Sequence, residues 1–303
     1  MDPERRATDE VFALKCSNVE DSTVLGSDIE DSTVRELSCL TALRGHPNII
    51  EILECFTDDT NSVAMLMPYM PYTLRRAIYE AGPSSFSIQT ASALAYMHKL
   101  NWIHRDITPS NILLTEDLTV KVADMGLARQ SSKRMSLGVV TEPYRAPELF
   151  GPPAPLDGMT REYTSAVDMW SLGAVIADAM EGRVVFLRSE SCSAMDIIRG
   201  LVHKGSECTE ANEIIAANRA TLMGNVMDHE PAKKIVFGLL VSDPSERLTA
   251  EELVHDSEWL GLARAITLGE KAMVIKLCED SATVHRRNKH ISYTQWHGSS
   301  VLL

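Results

Sequence analysis

Three short stretches concentrate oxygen-bearing side chains. The first runs His104-Arg105-Asp106-Ile107-Thr108-Pro109-Ser110-Asn111, the second is Asp124-Met125-Gly126, and the third is Ala146-Pro147-Glu148, 24 residues beyond Asp124. Hard cations such as Mg²⁺ take oxygen ligands, which Asp and Asn supply and the nearby sulfurs do not. Further on stand Asp168, opening Asp168-Met169-Trp170-Ser171-Leu172-Gly173, and Arg247, within Asp243-Pro244-Ser245-Glu246-Arg247-Leu248. Taken singly, Asp124 reads as a turn residue, Glu148 as a surface charge and Asp168 as a helix cap. Their common order across residues 104–247 sets them apart from chance matches. Upstream, Phe12-Ala13-Leu14-Lys15-Cys16 is an apolar run ending near a lysine, which alone reads as a solvated charge. Ser32-Thr33-Val34-Arg35-Glu36 places a glutamate in a helical pattern.

The elements that must position these residues can be read from periodicity. Residues 1–67 read as short strands around one helix. Phe12 to Cys16 is strand-like, and an acidic loop runs from Asn18 to Asp31. Ser32 is an expected N-cap, with Val34, Leu37, Leu40 and Leu43 at helical spacing behind it. Gly45 stops that helix and His46-Pro47-Asn48 turns the chain. Ile49 to Leu53 and Val63 to Met67 read as strands around the polar turn Thr57 to Asn61. After Pro68 helices take over, at Leu74 to Glu80, Ile88 to Leu100 and from Ser165 to Trp259. Between them, 101–128 is irregular apart from the apolar runs Ile112 to Leu114 and Val120 to Val122. The tail 263–303 carries one helical pattern, Leu268 to Leu277, and then loses periodicity.

Composition narrows the classes. With 303 residues, 45% apolar and 23% charged, the chain has the make-up of a globular protein. No apolar run approaches the ~18 residues of a membrane span, and Met1 to Glu10 lacks the apolar core of a secretion signal. Six scattered cysteines without a C-x-x-C pair argue against structural zinc and a disulfide framework. The expected setting is therefore intracellular, in cytoplasm or nucleus. A net charge of −13 disfavours sequence-independent nucleic-acid binding. The basic stretch His285 to His290 reads as a solvated tail.

The motif set resembles eukaryotic protein kinases, most closely the group that holds cyclin-dependent and mitogen-activated kinases. The likeness covers about residues 11–262. It implies an α+β bilobal fold with a truncated, small, β-rich N-lobe (1–67), a hinge (68–71), a larger helical C-lobe (72–262) and a tail (263–303). It implies ATP and Mg²⁺ as cofactors and a protein Ser/Thr hydroxyl as acceptor. By that resemblance Asp106 orients the hydroxyl and takes its proton, and Asn111 and Asp124 hold metal. Lys15, paired with Glu36, meets the α- and β-phosphates. Ala13, Met67 as gatekeeper, Tyr69, Met70 and Leu113 surround adenine. Glu148 pairs with buried Arg247, and Asp168 holds the catalytic loop. Arg35, Arg105 and Arg129 converge on a phosphorylated Ser136 of the activation segment. Arg145, in Tyr144-Arg145-Ala146-Pro147-Glu148, implies a preference for proline after the acceptor. The Ser32-to-Glu36 match implies a cyclin-like activator, and nothing implies a nucleic-acid or membrane partner.

Two positions depart from the family pattern. No G-x-G-x-x-G precedes Lys15, the first glycine being Gly26, so the lid over the phosphates is expected to be missing. Thr108 stands where Ser/Thr kinases carry a lysine that neutralises the γ-phosphate. Loss of such a contact slows transfer by ~10²-fold or more. The alternative that follows is a weak or dead kinase fold acting as a protein-binding regulator.

Overall fold

A computed structural model describes residues 11–16, 31–57, 63–78, 83–132, 135–136, 140–150, 160–161, 163–187, 193–202, 217–263, 272, 275–276 and 299–301. The strand-rich part comes first. Strands β1 (Phe12–Cys16), β2 (Glu54–Thr57) and β3 (Val63–Pro68) pair antiparallel in the order β1-β3-β2. The register sets Lys15 opposite Met65 and Ala13 opposite Met67. Side chains alternate across a pleated strand, so Ala13 and Lys15 share a face that Leu14 and Cys16 do not.

Helix α1 (Asp31–Ala42) packs beside this sheet. Thr33, Glu36, Cys39, Leu40 and Leu43 are its buried positions, spaced as one helical stripe extending into the following turn. Glu36 therefore lies on the inward face. Gly45, at φ 92°, then takes a left-handed conformation, which ends the helical stretch at little steric cost.

The larger part is helical. The short β4 (Tyr72–Thr73) and α2 (Leu74–Ala77) lead to α3 (Pro83–Lys99). Then follow the short strands β5 (Trp102–Ile103), β6 (Ile112–Leu114), β7 (Val120–Val122) and β8 (Arg129–Gln130). Strands β4-β6-β7 form one small sheet, β5 pairs with β8, and β9 (Met135–Ser136) pairs with β10 (Thr160–Arg161). Helix α4 (Ala166–Glu181) is buried almost all round, from Val167 to Asp178, so it is the pillar of the lower part. Around it stand α5 (Ala194–Val202), α6 (Gly224–Met227), α7 (Glu230–Leu239), α8 (Ala250–His255) and α9 (Ser257–Ala263). A Cβ on Gly173 would sit 2.8 Å from the Leu239 Cβ, so glycine is what lets α4 and α7 approach. Thr249 opens α8 with a reciprocal capping box to Glu252.

Several boundaries differ from the sequence expectation. The run Ile49 to Leu53 is not a strand of the upper sheet, and β2 begins at Glu54 instead. Ile49 bridges Val122 of the lower part, and the Ile50 amide donates to the Val122 carbonyl. An apolar run is buried either way, and periodicity cannot say which neighbour it joins. Helix α1 starts one residue before Ser32, and α3 starts at Pro83, five residues before the expected Ile88. The helix expected over 74–80 is described only as Leu74–Ala77.

In the tail, Ser299–Val301 forms β11, antiparallel to β2. The expected tail helix and the basic stretch 285–290 lie almost wholly outside the described residues. Residues 1–10 and Gly26 lie outside them as well. Cys16, Cys39 and Cys55 are free thiols. Among the described residues no helix is long and apolar enough to cross a membrane.

Candidate active site

A cleft of about 320 Å³ opens between the strand-rich and helical parts. All eight residues expected around a nucleotide lie on its walls: Ala13, Lys15, Met67, Tyr69, Met70, Asn111, Leu113 and Asp124. Glu36, Ile50, Ser110 and Ala123 line it too. The sequence reading assigned no wall position to Ile50, Ser110 or Ala123. Ile50 carried the one usable signal, since it follows the His46-Pro47-Asn48 turn that returns the chain to the cleft.

At one end of the cleft Lys15 joins two carboxylates. Its Nζ lies 2.8 and 2.7 Å from the two Glu36 oxygens and 3.0 Å from Asp124 Oδ1. Burial works to lower the Lys15 pKa, but the bonds and charges of Glu36 and Asp124 outweigh it, and the net shift is upward. Glu36 is 3% exposed, so this lysine is the cation beside a nearly buried carboxylate. Lys15→Met should destabilise the fold by about 1–3 kcal/mol, somewhat reduced because Lys15 is partly solvated. Urea unfolding measures it, and an unchanged midpoint would contradict the pairing.

Asp106 is joined to the cleft wall through Asn111. Its Oδ2 accepts from Asn111 Nδ2 at 2.8 Å, and its Oδ1 accepts from the Thr141 amide at 3.2 Å and hydroxyl at 3.0 Å. Asn111 Nδ2 also donates to the Asp106 carbonyl at 2.8 Å. The carboxamide nitrogen is thus committed to Asp106, which leaves the Asn111 side-chain oxygen as the atom for a cation. Together with Asp124 it gives two oxygen donors, a set that fits Mg²⁺ shared with substrate phosphates. Thr141 was missed in the sequence. It lies 35 residues from Asp106, and no local pattern marks such a contact.

The loop carrying Asp106 is held under strain. Arg105 has φ 67° and Asp124 has φ 62°, left-handed values that non-glycine residues adopt at a cost of about 1–2 kcal/mol. Asp168, 0% exposed in the first turn of α4, stabilises the first of these. Its oxygens accept from the backbone N–H of His104 at 2.9 Å and of Arg105 at 2.8 Å, and from His98 Nε2 at 2.9 Å. Burial pushes the Asp168 pKa up, yet the His98 bond, the His98 and His104 rings and the Arg105 amide bring it below the ordinary value. His104 then couples the loop to the segment between β7 and Asp124. Its Nδ1 accepts from the Asp106 amide, so its Nε2 carries the proton given to the Ala123 carbonyl, 3.1 Å away.

Met125 is fully buried, and α1 packs against the 125–127 turn. Arg247 donates to both Glu148 oxygens, at 2.8 and 3.1 Å. The three arginines expected around Ser136 are only partly brought together. The Arg105 guanidinium donates to the Leu127 carbonyl at 2.6 Å and to the Tyr163 hydroxyl at 3.0 Å. Arg129 lies close enough to act on the same hydroxyl. Arg35 is half-buried on α1. Ser136 is placed by backbone pairing with Thr160, and its side chain is outside the described set.

A family profile for the protein kinase domain matches residues 3–260. The chain is 30% identical over 243 residues to the probable CTD kinase subunit alpha homolog of Encephalitozoon cuniculi, covering 74% of this chain and 70% of that one. It is 36% identical over 246 residues to mitogen-activated protein kinase 12 of Mus musculus, covering 73% of this chain and 64% of that one. Against cyclin-dependent kinase 4 of Mus musculus it is 32% identical over 206 residues, covering 63% and 65%. Across these three relatives the chain thus spans roughly two thirds of their lengths. Among solved structures, a chain of the CAK complex from Chaetomium thermophilum bound to ATP-gamma-S superposes with a TM-score of 0.67. It is 27% identical and covers 82% of each chain. With the cleft, the strained Asp106 loop and these likenesses in hand, the chain belongs to the protein kinase family, in the group of cyclin-dependent and mitogen-activated kinases.

Proposed function

We propose that this chain is an ATP- and Mg²⁺-dependent serine/threonine protein kinase of cyclin-dependent type, with a preference for proline after the phosphoacceptor. The observation that carries it is Asp106, whose carboxylate is fixed by Thr141 and by Asn111, a wall residue of the cleft that also holds the Lys15–Glu36 pair. In this reading Asp106 accepts the proton of the substrate hydroxyl while Thr141 and Asn111 hold its two oxygens in place. Lys15, held by Glu36, positions the α- and β-phosphates. Asn111 and Asp124 would hold Mg²⁺, whose charge offsets that of the transferring phosphate. Adenine would lie among Ala13, Met67, Tyr69, Met70 and Leu113.

The proline preference has its own physical support. Val140 has φ 72°, and its carbonyl accepts from Arg145 Nε at 3.2 Å and Nη2 at 2.8 Å. A substrate residue lying there finds that carbonyl already used. An N–H brought to it loses its water without gaining a partner, whereas proline has no N–H to strand. Peptide arrays phosphorylated with labelled Mg-ATP should favour Ser-Pro and Thr-Pro acceptors over Tyr and over acceptors followed by other residues. An array with no preference at the following position removes the proline assignment, and dominant tyrosine labelling removes the Ser/Thr one.

Regulation in this reading comes from a phosphate on Ser136 meeting Arg35, Arg105 and Arg129, and from a cyclin-like activator on α1. The setting is inside the cell, in cytoplasm or nucleus. Thr108, 5% exposed where the family carries lysine, favours slow turnover and is the residue on which a binding-only role would rest. Absence of any labelled transfer, with intact nucleotide binding, would support that second role.

A further inference from the structure

Asp178 lies near the opposite end of α4 from Asp168, and none of the motifs assigns it a task. It is 1% exposed. Its Oδ2 accepts from the Tyr144 hydroxyl at 3.0 Å, and its Oδ1 accepts from the Val185 backbone N–H at 2.8 Å. Tyr144 is buried and closes the short 142–144 turn, three residues after the Thr141 that bonds Asp106. The Tyr144 carbonyl meanwhile accepts from Ser171 Oγ at 2.7 Å, so the tyrosine is pinned to α4 at both its backbone and its phenol. One carboxylate therefore ties the turn beside Asp106 to the loop that follows α4.

We propose that Asp178 is a positioning residue for the protein substrate: its carboxylate holds the 140–146 turn through Tyr144, and taking up a proton loosens that turn and weakens peptide binding. The substrate half of this rests on the kinase reading above. The chemistry follows from the two bonds. An ionised carboxylate accepts both as charge-assisted bonds, about twice as strong as neutral ones. Once one oxygen is protonated, the Val185 amide and the Tyr144 phenol share a neutral acid, and the phenol must turn from donor to acceptor to keep its contact.

The proton is accessible near neutrality. Burial pushes the Asp178 pKa up to about 7, against the lowering effects of the Val185 amide, the Tyr144 hydroxyl and the Arg183 charge. Tyr144 and Arg183 are the ionisable groups acting on it from the turn and from the loop after α4. The packed α3, α6 and α7 add none among the described residues. Because the folded value lies above the ordinary 3.8, the stability this group contributes is full in acid and is lost as pH rises towards 7. The turn and the global stability thus respond to pH in opposite directions, which separates this mechanism from general acid unfolding.

The test uses the full chain, Asp178→Asn and Tyr144→Phe, across about pH 5.5–8.5. Amide exchange in 140–147, corrected for the intrinsic effect of pH, should quicken below neutrality in the wild type. Asp178→Asn, whose amide keeps both contacts in their neutral form, should exchange quickly and evenly at every pH. Tyr144→Phe removes a bond that favours the charged form and should move the midpoint upward. With a Ser-Pro peptide, wild-type KM should rise about fivefold below neutrality while kcat corrected for other ionisations stays level, and Asp178→Asn should hold the raised KM throughout. Titrating exchange that flattens in Asp178→Asn supports the positioning role whether or not transfer is detected. Exchange in 140–147 that ignores pH, or titrates alike in Asp178→Asn, overturns it even in an active enzyme. A KM that does not move while exchange titrates overturns the substrate half.

Discussion

Asp106→Asn is expected to lower labelled γ-phosphate transfer by about 10²–10⁴-fold, the range for removal of a general base, with nucleotide binding retained. The substitution keeps size and shape, so the loss isolates the carboxylate's chemistry. It also sets a conflict that the geometry makes explicit. Both Asp106 oxygens accept, one from Asn111 and the other from the Thr141 amide and hydroxyl. A carboxamide can accept on one side only. Facing its oxygen to Asn111 is the better choice, because the Thr141 hydroxyl can reverse and accept whereas the Asn111 amide nitrogen cannot. The Thr141 backbone N–H then loses its partner, and the turn it begins should loosen slightly. Transfer assays beside a thermal melt check both points. Transfer within tenfold of wild type would mean that Asp106 is not the base, and a large fall in melting temperature would mean that the loss is structural.

The second large effect concerns Arg247. Its side chain is 0% exposed and donates to Glu148, to the Ala166 carbonyl at 2.6 Å and to the Val241 carbonyl at 3.1 and 2.9 Å. Its guanidinium also lies over the Trp170 ring at 5.3 Å. Arg247→Ala removes the donors to both Glu148 oxygens and the bonds to two half-buried carbonyls, and should destabilise the fold by about 3–5 kcal/mol. That is a large share of the roughly 5–15 kcal/mol typical of a folded domain. Arg247→Lys keeps one charge but loses the planar fork that reaches both Glu148 oxygens, so it should fall between. Pairing Arg247→Met with Glu148→Met should recover part of the loss, since neither partner is then left charged and alone. Urea unfolding of this cycle decides the matter. A single-site loss below about 1 kcal/mol would place the pair among screened surface contacts. The pair ties the 147–149 turn to the segment before α8, so the substrate turn should loosen in these variants too.

What the sequence determined by itself was the family, the α+β bilobal class and most of the cleft wall. Phosphoryl transfer needs particular side chains close together along the chain, and His104 to Asn111 or Asp124 to Gly126 can be recognised without a fold. Helix α1 was legible for a similar reason, its helical spacing being a local period, although Val34 of the expected stripe is exposed and Thr33 and Glu36 are buried instead. The departures at Thr108 and before Lys15 were equally visible, because they are substitutions within local patterns. The tertiary structure decided what depends on distant partners. Ile49 to Leu53 had the composition of a strand, yet Ile49 and Ile50 join Val122, the Leu53 amide donates to Leu66 of β3, and the sheet's own strand is Glu54–Thr57. Thr141 reaches Asp106, Lys15 reaches Asp124 over 109 residues, and Tyr144 reaches Asp178, none of them marked by any local spacing. Asp178 carries the point furthest. In the sequence it is one more acidic residue of an apolar helix, and only burial, working against the lowering effects of the Tyr144 hydroxyl and the Val185 amide, pushes its pKa up to about 7. Desolvation and long-range hydrogen bonding are properties of the packed molecule, and a linear pattern holds no record of them.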